Sequence, residues 1–73
     1  MESIRQTQDR ISRGLSARGL HSLHGRIHHS LAVDDARARP IYGVRQFADF
    51  RIQADSIEAE LSERGEVFEP IRW

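Results

Sequence analysis

Residues 41–73, IYGVRQFADFRIQADSIEAELSERGEVFEPIRW, decide the fold class. Ile41-Tyr42-Gly43-Val44 is short, apolar and β-prone, the composition of a strand. Phe47, Phe50, Ala54, Ile57 and Leu61 then recur at steps of three, four, three and four, with charges on the other faces. That period predicts an amphipathic helix. Glu60 and Arg64 support it as an acid-first pair four residues apart. Arg64-Gly65 ends it, with a cation in the last turn and a glycine free to turn left-handed. Val67, Phe68, Ile71 and Trp73 make a second extended segment, and Pro70, which lacks an N–H, places that segment at a sheet edge.

Strand, helix, strand is the grammar of a βαβ unit with a right-handed crossover. The expected fold class is therefore α+β: two N-terminal helices followed by a strand–helix–strand unit. A two-stranded sheet is marginal alone, so the N-terminal helices or a second molecule must complete it. The alternative is an all-α cluster of three helices on which segments 41–44 and 67–73 pack as extended tails.

Working back from this unit, Ala32–Pro40 reads as a linker, because Pro40 disfavours helix at Arg39. Before it, Ser3 and Gln6 fit a capping box that starts a helix, and Ile4, Ile11 and Leu15 fall on one face. Leu20, Leu23, Ile27 and Leu31 form a second stripe, rotated well over 90° from the first on helical projection. One straight helix cannot turn both stripes to the same surface. Two helices are expected, with a break near Ser16–Gly19, Arg18-Gly19 as the end of the first and Leu31 near the end of the second. The chain divides into a basic helical part (1–31), the linker (32–40) and the strand–helix–strand part (41–73), all within one domain. There are no internal repeats and no low-complexity runs.

Charge is as unevenly distributed as hydropathy. The total is zero, yet residues 1–33 hold five arginines against Glu2 and Asp9, net about +3, and residues 34–73 hold six against nine acids, net about −3. All eleven basic residues are arginine. Codon usage in a GC-rich genome accounts for this simply. The sharper reading is a need for planar, bidentate contacts with carboxylate or phosphate.

Seventy-three residues bury little apolar surface, and without cysteine neither a disulfide nor a thiolate zinc site can supplement the core. Association with a partner chain, a second copy included, is an expectation on that ground. No run approaches the ~20 apolar residues of a membrane span, and the first ten residues lack the apolar core of a secretory signal. Cytoplasm is the expected setting.

Three chemistries merit weighing. His24 and His28, four apart on a helix with His21 one turn earlier, are weak candidate metal ligands, with Asp34 or Asp35 as oxygen donors. Four partly exposed histidines on an arginine-rich helix explain the same pattern without metal, and no cofactor is expected. The acid-free stretch 10–33 suggests nucleic-acid binding, with Arg5, Arg10, Arg13, Arg18 and Arg26 on phosphates. These arginines scatter around several faces and have no interleaved aromatics. Catalysis has little support: no nucleophile elbow, no phosphate-binding glycine loop, no HExxH, and little room for a substrate pocket. The expectation is a protein without enzymatic activity.

A protein-contact surface remains. Its candidates are the extended-segment aromatics Tyr42, Phe68 and Trp73 and the carboxylates Asp49, Asp55, Glu58, Glu60 and Glu63, which can meet an arginine-rich protein. The expected function is a small protein-interaction module, an adaptor or inhibitor, with another protein or a second copy as partner. Small chains without cysteine, lysine or a chemical motif are common among phage and mobile-element accessory factors, anti-CRISPR inhibitors included. A nucleic-acid-binding protein using residues 10–33 is the alternative.

Overall fold

The capping box forms at the start of the chain: Ser3 Oγ accepts the Gln6 N–H at 3.1 Å, and Gln6 Oε1 accepts the Ser3 N–H at 2.8 Å. A computed structural model describes residues 1–73 and contains three helices, α1 (Ile4–Gly14), α2 (Ala17–Asp35) and α3 (Ala48–Glu63). No strand is present. The protein is all-α, which corrects the α+β expectation and matches the alternative, a three-helix cluster carrying extended segments.

The reason lies in where the backbone hydrogen bonds of the two β-prone segments go. In segment 41–44 the N–H groups of Ile41 and Tyr42 donate to Asp34 Oδ1, and that of Val44 donates to Asp34 Oδ2. Gly43 adopts φ +72°, and its carbonyl accepts from both Gln46 and Phe47, turning the chain into α3. In segment 67–73 the Ile71 N–H goes to Glu58, the Glu69 carbonyl to His28, and the carbonyls of Arg72 and Trp73 to Arg45. Side chains of α2, α3 and the connector take the donors and acceptors a ladder needs. Tertiary context overrides β-propensity.

Helix boundaries differ in two places. α1 ends at Gly14, and Ser16 starts α2 by accepting the Gly19 N–H at 3.0 Å, so Arg18-Gly19 lies in a first turn and not at a helix end. α2 runs on to Asp35, past Leu31 into the expected linker. The close of α3 is as expected. Gly65 has φ +73°, its N–H reaches the Ser62 carbonyl, and the Glu66 N–H reaches that of Leu61. This is the paired bonding of a Schellman motif.

α3 packs against both α1 and α2. The body is flat, 36 × 32 × 16 Å, little thicker than one helix with its side chains. The apolar core is accordingly small. Leu20, Ile27 and Leu31 enter it from α2, Ala54, Ile57 and Leu61 from α3, Val44 from the connector and Ile71 from the C-terminal segment. α1 adds no buried apolar side chain; its buried residue is Ser12, whose hydroxyl meets that of Ser56 at 3.0 Å. Ser56 also donates to Asp9 at 2.7 Å. α1 thus docks through a polar seam, and Ile4 and Ile11 stand exposed.

Candidate protein-contact surface

One end of the slab is built around a single carboxylate. Asp34, in the last turn of α2, is 4% exposed and collects three backbone N–H groups at 2.8–3.0 Å. Burial acts to raise its pKa, and the N–H bonds from the connector outweigh burial and leave the carboxyl below its ordinary value. Beside it, Arg45 grips Asp35 with two bonds, at 3.0 and 2.9 Å, and reaches the carbonyls of Arg72 and Trp73. The connector between α2 and α3 and the C-terminal segment are therefore clamped to one another.

On this rigid frame large apolar side chains point outward. Ile41 is 55%, Tyr42 46% and Phe47 62% exposed. Phe47 is the residue on which the sequence periodicity and the structure disagree. It lies outside the helix, as the extended N-cap of α3, so it leaves the helical seam that Ala54, Ile57 and Leu61 bury. Its ring lies over Gly43, where an added Cβ would come within 2.7 Å of it. Phe47 and Trp73 line a cleft of about 330 Å³ together with Ala48, Arg45 and Arg51. The Arg51 guanidinium stands 5.6 Å from the centre of the Trp73 ring, a cation–π contact.

The other candidate residues divide between inside and outside. Glu58 turns inward: one of its oxygens accepts from His24 Nε2 at 2.8 Å and from the Ile71 N–H at 2.9 Å. Phe68 packs on the core, its ring edge-on to His24. Glu60 pairs with Arg64, which also donates to the carbonyls of Ser12 and Arg13. Asp55 lies 4.0 Å from Arg51. Asp49 and Glu63 make no ion pair, and they lie at opposite ends of α3, some ~20 Å apart by helical rise. The expected acidic face is not a patch.

Three of the four histidines are spent on internal bonds. His21, His24 and His28, at steps of three and four, bond Glu66, Glu58 and the Glu69 carbonyl through Nε2. His24 and His28 are neighbours, with ring centroids 4.8 Å apart, but each commits its Nε2 elsewhere, and no group of three or more metal-ligating side chains assembles. Among the candidate phosphate contacts, Arg5 pairs with Asp9 and Arg10 with Glu2, whereas Arg13, Arg18 and Arg26 have no ion pair. Arg5, Asp9 and Arg13 line a second groove, between α1 and α3, in which Arg5, Asp9 and Ser56 bond one another.

Sequence reasoning missed Ile41, Phe47 and the arginines of this end as surface features. Only Phe47 carried a signal, standing at the first position of the seam, where a helix has not yet begun.

Three carboxyls are held below their ordinary range: Asp9 by the Ser56 hydroxyl and Arg5, Asp34 by the connector N–H groups against its burial, and Asp35 by Arg45. A depressed folded pKa stabilises the fold at every pH above the unfolded value, near 4, and that stability goes as pH falls through the folded value. Melts followed by circular dichroism should therefore drop steeply below about pH 4, and Asp34→Asn should flatten the drop. A melting temperature that holds level between pH 4 and 2 contradicts this.

No helix is long and apolar enough to cross a membrane. No protein-family model, curated protein or solved structure matches the chain.

Proposed function

We propose that this chain is a non-enzymatic protein-interaction module, an adaptor or inhibitor working in the cytoplasm, and that its contact surface is the aromatic end. One observation carries the reading. Ile41, Tyr42 and Phe47 stand exposed on a connector whose backbone is held by a buried carboxylate. Large apolar side chains fixed in place lose little entropy on binding and make efficient anchors. Mobile ones would be ordinary loop residues. Trp73 adds a half-buried ring beside a cleft open to a partner's side chain.

The test is affinity purification from the native host with the wild-type chain and a Tyr42→Ala/Phe47→Ala variant in parallel, each also sized alone. Both positions are largely exposed, so the variant should keep its helical spectrum. A protein retained by the wild type and lost by the variant is the expected result. A chain that dimerises through this end should lose its dimer in the variant. Retention of every bound protein by the variant removes the aromatic end as the contact surface.

A further inference from the structure

The half of the sequence from Asp34 onward is acidic in total, yet at its exposed aromatic end arginines without a carboxylate partner outnumber unpaired acids. Asp34 is consumed by backbone amides and Asp35 by Arg45. On the connector, Arg37 and Arg39 are exposed and meet no carboxylate, and Arg72, next to Trp73, meets none either. Arg51, at the cleft itself, touches Asp55 only at 4.0 Å. Against these cations stand two unpaired acids, Asp49 in the first turn of α3 and Glu69, which shares a groove with Arg72.

We propose that the partner presents an acidic linear segment of protein. An aromatic or aliphatic side chain of that segment enters the cleft between Phe47 and Trp73, and flanking Asp or Glu residues meet Arg51, Arg37 and Arg39. This rests on the aromatic end being the contact surface. Guanidinium groups with no internal partner keep their bidentate geometry for an incoming carboxylate. A like-charged partner would be repelled by the same groups, so they select as well as attract. A nucleic-acid strand fits less well. Ile41 offers no ring to stack on, and the cleft itself presents only Phe47 and Trp73 to successive bases.

Trp73 is the only tryptophan, so its emission reports directly on the cleft. Random 12-residue peptides displayed on phage are selected on the purified chain, then synthesised and titrated against Trp73 fluorescence at low and high salt. Single-stranded dT20 serves as the competing probe. The expected peptides carry two or more acidic residues around an apolar anchor. They should bind about tenfold more weakly to Arg37→Glu/Arg39→Glu, and more weakly still to Phe47→Ala. Peptides that need Phe47 but show no enrichment in acids, and bind the charge-reversed variant equally, overturn the acidic partner and leave the contact surface standing. Peptides indifferent to Phe47→Ala and Tyr42→Ala, or recovery of none, overturn both. Tighter binding of dT20 than of any peptide, abolished by Arg37→Glu/Arg39→Glu, reassigns these arginines to nucleic acid.

Discussion

Asp34→Ala should lower the melting temperature by roughly 10 °C or more. Three backbone N–H groups lose their acceptor together, and that of Val44, on a residue 1% exposed, cannot turn to water without opening the core. Asp34→Asn keeps one acceptor oxygen and should lose about half as much. Melts of both variants by circular dichroism check the order. The same exchange frees the connector, so Tyr42 and Phe47 lose their fixed positions and partner binding should weaken even at temperatures where the helices persist. A melting temperature within a degree or two of wild type would mean that the carboxylate does not hold the connector.

Glu58→Ala should cost about 3 kcal/mol, or roughly 15 °C in melting temperature, through the C-terminal segment. A single oxygen of Glu58 holds both His24, 4% exposed, and the N–H of Ile71, whose side chain belongs to the core. Removing it strands two buried donors and lets the C-terminal segment lift, so Trp73 emission should shift to the red in the folded state. Glu58→Gln retains an acceptor at the same reach and should restore most of the loss. If Glu58→Ala melts like wild type, or alters stability without moving Trp73 emission, the segment is held by something other than this carboxylate.

The parts of the fold visible in the sequence are those set by neighbours a few residues away. The Ser3/Gln6 capping box, the Arg64-Gly65 close of α3 and the turning of the apolar stripe between Leu15 and Leu20 all depend on local geometry, and each forms. What stayed hidden depends on pairing across distance. Ile41-Tyr42-Gly43-Val44 reads as a strand because nothing within four residues reveals that Asp34 takes its N–H groups. The histidines looked like a surface or metal cluster because their partners, Glu58, Glu66 and the Glu69 carbonyl, lie 34 to 45 residues away. For the same reason the contact surface was only half legible. Tyr42 and Trp73 stood out as aromatics in extended segments, whereas which arginines around them lack a partner shows only once Asp35 is seen to pair with Arg45.

Amide hydrogen exchange, read residue by residue in NMR spectra, tests directly whether helix side chains in place of a sheet hold the extended segments. The N–H groups of Ile41, Tyr42, Val44 and Ile71 should be protected in the wild type. Asp34→Asn should selectively weaken the first three, and Glu58→Gln should touch only Ile71. Protection running in an alternating ladder through 41–44 and 67–73, unaffected by either substitution, would contradict the account.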